Sequence, residues 1–142
     1  MAYSFEMDRG QAGQLADARE NTVITLAAEE ALDFGAPVMR GTGSNQAVIS
    51  DATAFAGVAL FEHNHENVDN TNGAGYVATD AVSVLTQGAV LVTAAVEVEA
   101  GEAAYVTASG TYTNDDTGNL LVGAFESDAG AGELAVLVVN LP

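Results

Sequence analysis

Two stretches of the chain read alike at an offset of 66 residues. "TVITLAAEEALDFG" (Thr22–Gly35) lies over "GAVLVTAAVEVEAG" (Gly88–Gly101), so Val23, Ile24, Leu26 and Leu32 fall on Ala89, Val90, Val92 and Val98. The same offset sets "AFAGVALFE" (Ala54–Glu62) over "LLVGAFES" (Leu120–Ser127), with Gly57 on Gly123. In both copies the two glycines stand 22 residues apart. A chain built this way is expected to fold as two related units that close on each other.

The units read as β. Short apolar runs alternate with Gly, Asn, Asp and Ser, and the strand candidates are Thr22–Ala27, Pro37–Arg40, Ala47–Ser50, Ala56–Phe61, Ala81–Thr86, Ala89–Ala94, Ala103–Thr107, Leu121–Phe125 and Leu134–Leu141. "AVSVLT" puts Val82 and Val84 on one face and Ser83 on the other, and "VEVE" sets Val96 and Val98 against Glu97 and Glu99. Period-two alternation marks strands with one dry face and one wet face. "AEEALDF" (Ala28–Phe34) carries a weak helical signal that Gly35 and Pro37 stop. Many short strands at this spacing point to an all-β fold, a small barrel or sandwich made from two pseudo-repeated β units. The expected organisation is an extended N-terminal arm over residues 1–20 and one β domain over 21–142.

Composition excludes several functions. Twenty acidic residues face three basic ones, Arg9, Arg19 and Arg40, for a net charge of −17. Nucleic acid and anionic membranes both require clustered Lys and Arg, so neither is an expected partner. No cysteine is present, which removes disulfides, thiolate metal sites and a cysteine nucleophile. The opening "MAYSFEMDRGQ" lacks a basic start followed by an apolar core, so no secretory leader is expected. Large apolar side chains are scarce, with five Phe, four Tyr and no Trp. A core this thin makes self-association or docking on a partner the expected way to gain stability.

"FEHNHENVDN" (Phe61–Asn70) holds both histidines, His63 and His65, and is the stretch most like a chemical site. In a strand the two imidazoles share a face and offer a weak zinc pair, with Glu66 or Asp69 as a third ligand. The surroundings, Asn64–Gly75, are a polar loop with little apolar material to hold ligands rigid, so an exposed strand-to-loop exit is the preferred reading. "TNDDTGN" (Thr113–Asn119) departs from the EF-hand order and reads as a turn. "GTGSNQ" (Gly41–Gln46) lacks phosphate-loop spacing and reads as a hairpin connection. No G-x-S-x-G elbow occurs. The expectation is no enzyme and no cofactor.

Taken in order, "GQAGQLAD", "AAEEALDFGAPVMRG", "FAGVALFEH", "YVATDAVSVLTQGAVLV", "VEAGEAAYVTASGTYTN" and "LAVLVVNL" resemble the structural cement, or decoration, proteins of tailed bacteriophages. The resemblance implies a β-rich protein on the outside of an HK97-fold capsid, bound to the major capsid protein and made in the host cytoplasm. It implies self-association, commonly as a homotrimer, with a dimer as the alternative. In the arm, Tyr3, Phe5, Met7 and Leu15 are the expected apolar anchors on the capsid, and Arg9 and Arg19 the expected partners of capsid carboxylates. A head-displayed module that binds carbohydrate or a host surface is the alternative function, and a metal enzyme built on His63 and His65 the third.

Overall fold

The computed structural model describes residues 12–17, 19–41, 46–48, 54–61 and 75–140, and among them there is no helix. The strands are β1 (Thr22–Ala28), β2 (Leu32–Asp33), β3 (Pro37–Arg40), β4 (Gln46–Val48), β5 (Phe55–Ala59), β6 (Gly75–Tyr76), β7 (Ala81–Thr93), β8 (Ala103–Val106), β9 (Tyr112–Thr113), β10 (Leu120–Phe125) and β11 (Leu134–Asn140). Nine of them form one sheet in the order β1-β4-β3-β5-β7-β11-β10-β8-β9, and β1 also pairs with β7. That extra pairing closes β1, β4, β3, β5 and β7 into a ring. Closure removes the free edges that an open sheet would leave. All the strand pairs are antiparallel except β1 with β4.

β7 is the element that organises the rest. Two separate strand candidates, Ala81–Thr86 and Ala89–Ala94, are one continuous strand of 13 residues. Its first half pairs with β1 over Ala81–Gln87, and its second half pairs with β11 over Gln87–Thr93. The second half begins a second ring with β11, β10, β8 and β9, closed by the parallel bridge Ala94↔Tyr112.

The two rings repeat each other in register, as the sequence repeat leads one to expect. Val38 faces Gly57 and Met39 faces Phe55; 66 residues on, Ala104 faces Gly123 and Tyr105 faces Leu121. Each pairing carries a register shift at the corresponding place. β1 corresponds to the second half of β7: Ile24↔Val84 matches Val90↔Leu137, and Leu26↔Val82 matches Val92↔Ala135. Even the turns agree. The Val77 N–H donates to Asp80 and the Gly130 N–H to Glu133, while Thr79 (φ 79°) and Gly132 (φ 83°) share the left-handed conformation. After β5 the offset shortens from 66 to 53, because the first unit carries a longer connection between β5 and β6. His63 and His65 belong to that extra length and lie outside the described residues.

Gly57 and Gly123 explain why the repeat keeps glycine here. A Cβ on Gly57 would stand 2.3 Å from the Leu85 carbonyl oxygen, and one on Gly123 would stand 2.0 Å from that of Val138. Both are impossible contacts with backbone of the neighbouring strand. Each glycine lets its strand press against the next at a bulge.

The cores match as well. Leu26, Ala28, Leu32, Val38, Ala56, Ala59, Tyr76, Val82 and Val84 are buried in the first unit. The second unit buries Val92, Ala94, Val98, Ala104, Val122, Phe125, Ala129, Ala135 and Leu137 at the corresponding positions. Tyr76 goes with Ala59 in one unit; Phe125 goes with Ala129 in the other. One large ring thus changes strand while total volume is kept, an exchange that cores tolerate.

Two local expectations fail. Ala28–Phe34 is not helical: it closes β1, bends, and enters β2. Seven residues cannot repay helix nucleation when their apolar side chains have a sheet to join. "VEVE" is not a strand: Val98 is buried and bridges Ala129, but Val96 is 38% exposed. Of the expected strand Ala47–Ser50, Ala47 and Val48 lie in β4, which starts at Gln46, and residues 49 and 50 lie outside the described residues.

Candidate functional site

Among the described residues no set of side chains resembling a catalytic centre is assembled. Among the described residues no three His, Cys, Asp or Glu stand where they could hold a metal ion. An open acidic hollow of about 320 Å³ is lined by Glu97, Glu99, Asp128 and Glu133. Two of the four carboxylates are occupied with backbone: Asp128 accepts from the Ala100 N–H and Glu133 from the Gly130 N–H. They cap turns. Thr113–Asn119 does the same, since Asp115 accepts from the Thr117 N–H and its carbonyl from the Asn119 side chain.

The expected arm residues divide into two groups. Tyr3, Phe5, Met7 and Arg9 lie outside the described residues. Residues 12–17 run along β7 as part of the sheet. The Gly13 N–H donates to the Leu91 carbonyl, the Leu91 N–H to the Gln14 carbonyl, and the Ala16 N–H to the Ala89 carbonyl. The Phe61 N–H donates to the Gly13 carbonyl and ties the segment to the end of β5. Leu15 bridges Val90 with its side chain 43% exposed. It remains available to a neighbour.

Arg19 is already engaged within its own chain. Its guanidinium lies 2.8 Å from both Asp17 and Glu126, linking the N-terminal segment to the end of β10. The hydrogen bonds to Glu126 and Asp17 raise its pKa further, and the same bonds lower both carboxylates. Lowered carboxylates keep the bridge charged in mild acid, and it is lost only as pH falls through their folded-state values. All three groups are solvent-exposed, so salt should weaken the link.

Two buried tyrosines secure the units. The Tyr76 hydroxyl donates to the Leu60 carbonyl at 2.7 Å, and the Tyr112 hydroxyl donates to the Gly35 carbonyl at 2.8 Å. The second bond joins the second unit to the first. Burial pushes the Tyr112 pKa well above its usual range. The folded state therefore holds that proton more tightly than the unfolded chain. Its contribution is complete below pH ~10, the ordinary tyrosine value, and falls as pH rises beyond it. Tyr112→Phe should cost about 1–2 kcal/mol, measured by urea unfolding, for the lost hydrogen bond and the stranded carbonyl. It should also flatten the loss of stability above pH ~10.

Among the described residues the two units differ at one edge. In β1, Val23 and Thr25 turn their backbone groups away from β7, because the pairs bonded to β7 are Ile24↔Val84 and Leu26↔Val82. β4 begins to pair only at Ala27. Their counterparts, Ala89 and Leu91, bond to residues 13–16. Among the described residues nothing plays that part for β1. Val23 is 43% exposed where Ala89 is 1% exposed.

The comparisons agree with a structural role. The chain matches the family described as structural cement protein (E217 gp24/Pam3 gp6) over residues 1–140. No curated protein sequence matches it significantly. A chain from the capsid of Myoviridae phage XM1 is similar in fold, with a TM-score of 0.73 and 21% identity, covering 98% of this chain and 95% of that one. The head fibre gp8.5 N base of bacteriophage phi29 is more distant, with a TM-score of 0.52 and 16% identity over 84% of this chain and 94% of that one. With a family match over nearly its whole length, the chain belongs to the structural cement proteins of phages.

Proposed function

We propose that this chain binds the outer surface of an expanded HK97-fold head and straps neighbouring major capsid subunits together. The observation that carries this reading is the cement-family match along residues 1–140. The protein would act as a homotrimer at local threefold positions, with a dimer as the alternative. Each copy contributes a modest contact, on the order of 1,000 Å² in total, the lower range for specific association. Many copies on a closed shell act through effective concentration, so weak single contacts sum to a stiff lattice. The net charge of −17 suits a body facing solvent or basic capsid loops.

Imaging virions by electron cryomicroscopy tests this. Density for the two-ring body should lie outside the shell and bridge adjacent capsid subunits. Density inside the head, or none, would end the proposal. The fold likeness to a head fibre favours the second reading, a displayed binding module. Against it, Tyr76 and Tyr112 are both buried, so neither offers a sugar a stacking face.

A further inference from the structure

We propose that the outer face of β8, β10 and β11, at Tyr105, Leu121, Ala124 and Val138, is the surface on which a second copy of this chain docks. The inference deepens the self-association in the proposed function and rests on it.

The repeat supplies the first argument. In the first unit Met39 pairs with Phe55, and Val58 with Leu85. These side chains turn away from their own unit's core. Met39, Val58 and Leu85 are buried in one cluster with the core of the second unit, and Phe55 packs against it. The outer face of β3, β5 and the first half of β7 is thus covered by a β unit. The corresponding pairs in the second unit are Tyr105 with Leu121 and Ala124 with Val138. Among the described residues no unit stands over them. Leu121 is 59% exposed, and Tyr105, Ala124 and Val138 are half-buried.

The second argument is chemical. Every position of this face is apolar in both units, although packing inside the chain uses it in the first unit alone. β8, β10 and β11 contain no charged residue, in a chain of net charge −17. Glu102, Glu126 and Glu133 lie just beyond the strand ends. Two acidic molecules can meet across such a face without setting carboxylate against carboxylate.

The third argument selects the occupant. What covers the first unit's face is a β unit of the same fold, and a second copy carries such units. A basic capsid loop would find no carboxylate on these strands to pair with. Since the rest of both surfaces is acidic, the association should strengthen as salt rises.

Sedimentation equilibrium of the full chain over a range of concentrations tests this. The parent should associate reversibly. Leu121→Glu should raise the dissociation constant by about tenfold or more, the scale for a charge placed in an apolar contact. Leu121→Ser, which adds no charge, should weaken association in the same direction. Melting curves check that both variants fold. Val77→Glu and Val96→Glu are the controls: they add the same charge at positions 40% and 38% exposed outside the face. They should leave the dissociation constant within about twofold, as isolated surface charges do. A Leu121→Glu protein that associates like the parent would overturn the proposal and leave self-association standing through another face. If that protein also failed to coat expanded heads, the face would belong to the shell. A parent that stays single at every concentration would overturn both the proposal and the self-association it rests on. If the chain without Met1–Gln11 then associated, the face would belong to the molecule's own N-terminus.

Discussion

Gly123→Ala should lower the stability of the fold by about 3 kcal/mol or more, the upper part of the range for forced overpacking. At this chain length that corresponds to a fall of roughly 10 °C in Tm by calorimetry. The cause is local: the new Cβ would stand 2.0 Å from the Val138 carbonyl oxygen, so β10 and β11 must part. Gly57→Ala should behave alike, because its Cβ would meet the Leu85 carbonyl oxygen at 2.3 Å and its φ is +146°. Gly101→Ala is the control. Its φ is +96° but nothing lies within 4 Å, so only the backbone preference is lost, about 1 kcal/mol. Equal losses at Gly101 and Gly123 would mean that strand approach is not what these glycines serve.

Truncation at two points gives the second large effect. Removing Met1–Gln11 keeps every backbone bond that residues 13–16 make to β7 and to Phe61, so it should cost less than the longer cut. Removing Met1–Asp17 should destabilise the body by about 2–4 kcal/mol, the loss of several buried hydrogen bonds less the chain entropy released. It strips the partners from the Leu91 and Ala89 backbone and from the Phe61 N–H. A boundary drawn at residue 20 on composition would therefore cut into the sheet. If both truncations melt together with the full chain, residues 12–17 contribute nothing to the body.

The repeat was the most legible feature, because its signal lies in matched apolar positions and in two glycines whose absent side chains are steric necessities. Reading Gly35, Gly57, Gly101 and Gly123 as one pattern was enough to expect two β units. The length of β7 was not legible. Gln87 and Gly88 look like a break, yet the strand runs through them and changes partner there. Residues 12–17 escaped notice because three or four edge residues leave no periodicity to detect. "VEVE" misled for the converse reason: alternation of Val and Glu persists in a connection where only Val98 finds a core.

The central claim is that this chain completes its stability and does its work by lying on a phage shell. The direct measurement is co-sedimentation of the purified protein with expanded heads that lack it, followed by heating. The account predicts saturable binding to expanded heads, little to unexpanded ones, and heads that withstand higher temperature once coated. Protein left wholly in the supernatant, with the heads failing at their original temperature, would contradict it.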